Sequence, residues 1–138
     1  MRVTTRGESG RLAIEETGAE CWLGTPDRLG TLRAALESVT IVCWLLGTAV
    51  GAEEEVRALH TSRLEFFLGQ VIDTTVRGFV YEAMGTVPSD ALTEGEQIVR
   101  MVAGRNEIPV GILTADPEDA DAWLADAHVE IGALLGSR

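Results

Sequence analysis

Few side chains in this 138-residue sequence are of the types that carry out chemistry, and most of them stand alone. Glu82 follows directly after a predicted strand, where its carboxylate could accept a proton. His60 lies in a predicted helix next to its apolar face. No Ser, Cys or Asp is placed to work with it, so we expect a histidine at the core boundary rather than a general base. His128 stands between Asp126 and Glu130, and we expect it on the surface.

Metal binding is not predicted. Cys21 and Cys43 each lie beside a tryptophan in a predicted buried strand, where we expect them to be small apolar fillers. Two cysteines and two scattered histidines offer no ligand spacing. Four aspartates near the C-terminus are expected to form a solvated acidic face rather than a magnesium cluster, because helical spacing spreads their carboxylates around the axis. These are Asp116, Asp119, Asp121 and Asp126.

Composition excludes several classes of protein. Apolar residues make up 46% of the chain and charged residues 24%, which is typical of one packed domain over residues 1–138. The net charge of −11 argues against nucleic-acid and anionic-membrane partners. No stretch approaches the ~18 apolar residues of a membrane span, and the N-terminus lacks a signal-peptide core. We therefore expect a cytoplasmic protein.

One apolar run organises the predicted fold. Residues 40–46 are nearly all apolar and a Gly-rich turn follows them, which is typical of a strand buried on both faces of a parallel sheet. The other predicted strands are 1–6, 19–23, 76–81 and 109–113, and helices are predicted over 11–17, 25–38, 53–71, 89–104 and from 116 onward. Thr25, Ser89 or Asp90, and Asp116 are the expected helix caps. Strict alternation predicts an α/β fold of five mostly parallel strands with helices on both faces.

The order of motifs resembles the NAD(P)-binding Rossmann domain of extended and atypical short-chain dehydrogenase/reductases. In that family the second strand ends in a basic residue, the next helix ends in Gly-Ala, and the third strand leads to Gly-Asp. The likeness extends over nearly the whole chain. The corresponding segments here are 4–6, 17–20, 23–25, 32–39, 46–47, 77–81 and 108–110.

The resemblance implies a nucleotide site at the ends of the early strands. Its candidate residues are Thr5, Arg6, Gly24, Thr25, Leu46, Gly47 and Thr48. NADP or NAD is the implied cofactor, FMN is less favoured, and no cofactor is an equal alternative. The loop 4–10 could hold a phosphate or the adenosine ribose phosphate, or it could be a solvated turn. Thr25 could equally be a plain helix cap, and Gly47 could simply end a strand.

Two features of the family are missing from the sequence. The first strand and its Gly-rich turn, which hold the cofactor pyrophosphate, would lie before Met1. The Tyr-x-x-x-Lys motif is also absent, since Tyr81 lies at the end of a strand and the chain contains no lysine. The catalytic residues are therefore unknown. Tyr81 and Glu82 are weak candidates, the latter because the family places a serine near the nicotinamide at that point.

The missing strand would leave a gap next to the central strand. We expect closure to the flavodoxin-like order 2-1-3-4-5, or filling by a partner chain. A third possibility is that the sequence begins one βα unit late. Residual nucleotide binding or a non-catalytic interaction role is the predicted function, and a homo-oligomer such as a dimer is the expected assembly. The alternatives are an NADP-dependent reductase or epimerase, and a flavodoxin-like module for FMN or phosphate.

Overall fold

The computed structural model describes residues 1–136, which contain five strands, six α-helices and two short 3-10 helices at Glu8–Gly10 and Ala34–Leu36. The strands are β1 Arg2–Thr5, β2 Glu20–Leu23, β3 Ile41–Trp44, β4 Gly78–Glu82 and β5 Val110–Leu113. The helices are α1 Arg11–Glu16, α2 Gly30–Arg33, α3 Glu53–Leu59, α4 Ser62–Val71, α5 Ser89–Arg105 and α6 Ala120–Gly136. Every strand pair is parallel. The predicted α/β class is confirmed.

The strands form two ladders rather than one continuous sheet. β1 pairs with β2, and β3, β4 and β5 pair in that order. The expected pairing of β1 with β3, which would give the order 2-1-3-4-5, is not made, so the expectation of closure was wrong. Arg2 bridges the two parts instead, since its guanidinium donates to the carbonyls of Ala35 and Glu37 at 2.8 Å. The Arg2 side chain therefore connects β1 to the turn before β3, where a backbone ladder between β1 and β3 was expected.

β4, and not β3, is the buried strand of the larger ladder. All five residues of β4 are buried, whereas Cys43 of β3 is exposed. The expectation that residues 40–46 are covered on both faces was therefore wrong, as was the assignment of Cys43 as a buried filler. Cys21 is half-buried. A strand is enclosed only when it has neighbours on both edges, and β3 has one.

Helices cover both faces of the larger ladder, as predicted. On one face, Trp44, Phe79 and Tyr81 pack against α4 and α5, and the Trp44 and Phe67 rings lie 5.0 Å apart. On the other face, Val80 and Leu113 pack under α6. Alternate residues of each strand supply the two clusters, as strand geometry requires.

Only the second half of the predicted helix over 25–38 forms, as α2 followed directly by the 3-10 helix Ala34–Leu36. Thr25 is not a helix cap: its carbonyl accepts from the Arg28 amide at 3.0 Å and its hydroxyl from the Asp27 amide at 3.2 Å, which closes a turn. Helix α2 begins only at Gly30. Local side-chain bonds of threonine compete with the helix in this segment.

Three other predicted helices differ from the structure, one by a break and two at their starts. The helix over 53–71 breaks at His60 and Thr61, because the His60 side chain turns into the core. Helix α5 has Pro88 at its cap, so neither Ser89 nor Asp90 caps it. Helix α6 begins after Asp119, whose carboxylate accepts from the Ala122 amide at 3.1 Å, whereas Asp116 caps only a turn.

None of the helices in residues 1–136 combines the length and apolar character that crossing a bilayer requires.

Two glycines of α5 make a matched test of the packing. A Cβ on Gly95 would collide with the Tyr81 hydroxyl and lie 2.9 Å from the His60 carbonyl oxygen, whereas one on Gly104 would meet nothing within 4 Å. We expect Gly95→Ala to lower the free energy of unfolding by about 1–3 kcal/mol. Gly104→Ala should raise it by about 0.5–1 kcal/mol, because alanine favours helix. Urea denaturation measures both, and equal effects would contradict this packing.

Candidate functional site

The candidate site lies at the edge where the parallel strands end. The carboxyl ends of β1 and β2 lie together on one side of an open gap, and those of β3, β4 and β5 lie on the other. We use the term open gap for the break in strand pairing between the β1–β2 ladder and the β3–β4–β5 ladder. Ligands of open parallel sheets bind at such carboxyl ends, where the loops converge.

On the first side of the gap the structure brings three predicted site residues together, Thr5, Gly24 and Thr25. The Gly24 amide donates to the Thr5 carbonyl at 2.9 Å, and the Thr25 amide donates to the Thr31 hydroxyl at 2.8 Å. Gly24 is buried, and a Cβ there would lie 3.1 Å from the Thr31 carbonyl oxygen. A side chain at this position would require the Thr31 backbone or the Leu32 side chain to shift by a few tenths of an ångström, so the packing favours glycine.

Arg6 is the accessible cation on this side of the gap. Its side chain is 68% exposed and makes a 3.4 Å ion pair with Asp27, which is itself 41% exposed. The Asp27 carboxylate also binds Arg63 at 3.1 Å. One carboxylate thus serves two guanidinium groups, and a net positive charge is left at this corner of an acidic protein.

On the second side of the gap, Gly47 is clamped to Glu82. The Gly47 amide donates to one Glu82 carboxylate oxygen at 2.9 Å, and the indole N–H of Trp123 donates to the other at 2.7 Å. Glu82 is only 3% exposed. The clamp therefore joins the loop after β3 to the end of β4 and to α6. A Cβ on Gly47 would collide with the Met84 carbonyl, so only glycine fits there.

Leu46 is held by a second buried connection. The His60 ring is fully buried, with Nε2 2.8 Å from the Leu46 carbonyl and Nδ1 2.6 Å from the Tyr81 hydroxyl. A carbonyl only accepts, so Nε2 carries the proton and the Tyr81 hydroxyl donates to Nδ1. Burial lowers the pKa of His60, and burial raises the pKa of Tyr81. The ring is thereby kept neutral.

Thr48 lies further out, on a groove formed by the loops after β3, β4 and β5. The groove has a volume of about 490 Å³. Its lining residues are Thr48, Met84, Gly85, Thr86, Asp116, Pro117 and Glu118. The charged members of this lining are carboxylates, so the groove disfavours a phosphate.

The remaining sequence candidates lie away from this edge or form no cluster. His128 is exposed on α6, as expected. Across residues 1–136, no group of three or more His, Cys, Asp or Glu side chains is arranged to hold a metal ion. The His60 interpretation was wrong in one respect, since the side chain lies inside the core and not at its boundary.

Comparison with known proteins identifies similar structures but no protein family to which the chain can be assigned. No protein-family model matches the chain, and no curated protein matches it. The NADP(H) complex of Citrobacter sp. triphenylmethane reductase is similar in structure, with a TM-score of 0.61 and 14% identity. A second structure of that reductase, concerned with bioremediation of triphenylmethane dyes, has the same TM-score and 16% identity. Each likeness covers 81% of this chain and 38% of the reductase.

The fold is Rossmann-like. Both similar structures are of one NADP(H)-binding reductase, and this chain spans less than two fifths of its length.

Sequence reasoning missed the parts of the Rossmann-like edge that depend on distant contacts. Nothing in the sequence around Trp123 points to a carboxylate. Gly85 has a φ of 153°, and a Cβ there would collide with the Gly47 carbonyl, so the turn requires glycine at this position. A glycine three residues beyond the end of β4 is the local signal for that turn.

The Glu82 clamp predicts a defined loss of stability. In Glu82→Gln, one of the two N–H donors would face the new amide NH₂ and lose its acceptor. The free energy of unfolding should fall by about 1–3 kcal/mol. The control is Glu54→Gln, which changes an exposed acid on α3 and should be nearly neutral. Equal stabilities of the two variants in urea denaturation would contradict the clamp.

Buried His60 predicts a pH dependence of stability. The unfolded histidine takes up a proton near pH 6.5, whereas the folded ring stays neutral to lower pH, because burial lowers its pKa. Stability is therefore full above pH ~6.5 and declines as the pH falls below it, by at most about 1.4 kcal/mol per pH unit. His60→Gln should remove this component of the slope, and His128→Gln should retain it. Urea denaturation between about pH 7.5 and 5.5 measures the slopes.

Proposed function

We propose that this chain is a Rossmann-like NAD(P)-binding-type domain related to the extended and atypical short-chain dehydrogenase/reductases. Within residues 1–138, no segment corresponds to that family's first strand and Gly-rich loop. The chain binds the adenosine end of a phosphorylated nucleotide at the ends of β1 and β2 and does not itself transfer hydride.

The single observation that carries the proposal is the accessible Arg6 at the carboxyl end of a parallel strand. The guanidinium is two-thirds exposed and pairs with an aspartate that Arg63 shares. A phosphate offers Arg6 a bidentate partner of higher charge than the shared carboxylate. Gly24 beside it packs closely against Leu32 and Thr31, which holds the turn that carries Asp27 next to Arg6. The proposal therefore places the ribose phosphate at Arg6, with the adenosine along the loops after β1 and β2.

The second half of a dinucleotide has less support from the structure. The Gly47 amide is already used by Glu82, and the Met84–Gly85 turn closes over Gly47. The adjoining groove presents Asp116 and Glu118 to any phosphate. We therefore place the phosphate contacts of the ligand at Arg6 and none in the groove.

Neither weak catalytic candidate is free to react with a bound ligand. The Tyr81 hydroxyl is fully buried against His60, and both Glu82 oxygens accept hydrogen bonds within the protein. Their side chains support the edge by positioning Leu46 and Gly47. The role proposed for this chain is therefore binding without chemistry.

The alternative is a reductase or epimerase in which this chain is part of a longer polypeptide. The observation in its favour is the likeness to an NADP(H)-bound reductase of which the chain covers 38%. An FMN or phosphate module has only the loop after β1 in its favour. Turnover of NADPH by the chain alone would favour the reductase over the proposal.

Nucleotide titration of two arginine variants tests the proposal. We expect NADPH and adenosine 2′,5′-bisphosphate to raise the melting temperature, and NADH to raise it less. Arg6→Gln should weaken binding of the 2′-phosphorylated ligands about tenfold or more, the equivalent of a charge-assisted hydrogen bond. Arg77→Gln is the matched control, because Arg77 is also exposed but precedes β4 at the opposite edge.

Three results would count against the proposal. The first is the absence of any stabilisation by these nucleotides at millimolar concentration. The second is equal weakening by Arg6→Gln and Arg77→Gln, which would indicate non-specific attraction of anions. The third is a loss of NADPH absorbance at 340 nm in the presence of a carbonyl substrate.

A further inference from the structure

Asp27 lies between two arginines that come from different parts of the fold. One carboxylate oxygen, Oδ2, is 3.4 Å from the Arg6 guanidinium, and the other, Oδ1, is 3.1 Å from the Arg63 guanidinium. Arg6 follows β1, Asp27 lies in the turn after β2, and Arg63 is the second residue of α4. The two guanidinium groups therefore converge on the space of one small anion.

The Arg63 guanidinium is positioned by more than this carboxylate. The same nitrogen, Nη1, also donates to the Pro26 carbonyl at 3.1 Å, and the side chain is 31% exposed. Arg6 is exposed and has the longer contact with Asp27, so it can move toward a ligand. An arginine that is already oriented loses less conformational entropy when it binds an anion. Arg63 thus provides a fixed donor, and Arg6 a mobile one, for the same position.

The charges at this position do not balance, because two guanidinium groups share one carboxylate. A phosphomonoester carries a charge of about −1.5 to −2 near pH 7 and three strong acceptor oxygens. Guanidinium forks match the geometry of carboxylate and phosphate alike. A phosphomonoester is therefore a better partner for both arginines than Asp27 is. A phosphodiester carries less charge and offers no such gain.

The turn that carries Asp27 is closed by contacts that do not need its carboxylate. The Arg28 amide donates to the Thr25 carbonyl at 3.0 Å, and the Asp27 amide donates to the Thr25 hydroxyl at 3.2 Å. Within the turn, the carboxylate itself has a long 3.4 Å contact from that hydroxyl. The carboxylate is partly exposed, so water can solvate it when it rotates away, and partly exposed ion pairs are weak. A ligand can therefore displace it without opening the turn.

We propose that Asp27 occupies the phosphate position of an anion site formed by Arg6 and Arg63, and that a phosphomonoester displaces it on binding. The inference rests on the proposed function, since it takes Arg6 as a phosphate contact. It adds Arg63 as a second contact and makes Asp27 an internal competitor of the ligand. The 2′-phosphate of an adenosine ribose is a group of this class, whereas the bridging phosphates of a dinucleotide are not.

Asp27→Asn tests the competition directly. The variant keeps the shape of the side chain and removes its charge, so the affinity for adenosine 2′-monophosphate should rise about threefold to tenfold. Asp90→Asn is the matched control, because Asp90 on α5 also pairs with an arginine, Arg57, and the substitution removes the same charge. Affinity in the control should stay within about twofold of the unmodified chain. Isothermal titration calorimetry of the full chain measures both.

Arg63→Gln tests the second contact. Affinity for adenosine 2′-monophosphate should fall about tenfold, and most of the gain from Asp27→Asn should disappear when Arg63→Gln is also present. Arg57→Gln is the matched control, since Arg57 is another arginine paired with an aspartate, and it should change affinity by less than about twofold.

A second ligand tests the chemical class. Adenosine 2′,3′-cyclic phosphate has the same base and ribose but is a phosphodiester. Its binding should be weaker, and Asp27→Asn should improve it by less than about twofold. Equal gains for the two ligands, or equal gains in Asp27→Asn and Asp90→Asn, would overturn the inference, because they would indicate a general attraction of anions.

The remaining outcomes separate the inference from the proposed function. Suppose that the unmodified chain binds the monophosphate and that Arg6→Gln weakens this binding. Unchanged or lower affinity in Asp27→Asn would then overturn the inference and leave the proposed function standing. Binding by Asp27→Asn but not by the unmodified chain would overturn the proposed function and support an anion site that Asp27 blocks. Binding by neither would overturn both.

Discussion

Burial of the Glu82 carboxylate is the constraint on which the carboxyl edge of the larger ladder depends. A carboxylate that is 3% exposed is costly unless its oxygens find donors, and here a backbone amide and an indole N–H supply them. Because those donors belong to the loop after β3 and to α6, satisfying one side chain fixes three elements relative to one another. The loop at Gly47 cannot open without leaving the carboxylate unpaired in the core.

The His60 chain of hydrogen bonds supports the same loop from the other face. It breaks what would be one long helix into α3 and α4, since the ring must enter the core to meet Tyr81. Its Nε2 proton then satisfies the Leu46 carbonyl just where β3 has ended. Tyr81 and Glu82 are adjacent on β4 and are of residue types that often act in catalysis. Here their hydrogen bonds position Leu46 and Gly47 at the carboxyl edge instead.

The two strand ladders meet at the open gap and are held there by different contacts. On one side, the clamp and the histidine chain fix the end of β3. On the other, the short ladder of β1 and β2 is joined to the rest through side chains, notably Arg2 to the turn before β3 and Arg63 to the turn after β2. The accessible Arg6 lies at the end of this short ladder. A nucleotide bound there would contact the part of the molecule that these arginine side chains connect to the larger ladder.

The sequence by itself determined the alternation of strands and helices, the α/β class, the parallel direction and helices α1 and α5. These depend on local periodicity and on glycine and proline signals, which act over a few residues. Only the tertiary structure decided that β4 rather than β3 is enclosed, that β1 and β3 stay apart, and that Thr25 closes a turn. It alone also placed His60, Tyr81, Glu82 and Trp123 in hydrogen-bonded contact. Whether a strand is buried depends on which strands lie next to it in the sheet. Gly47 and Glu82 are 35 positions apart in the chain, so no local sequence pattern predicts their contact.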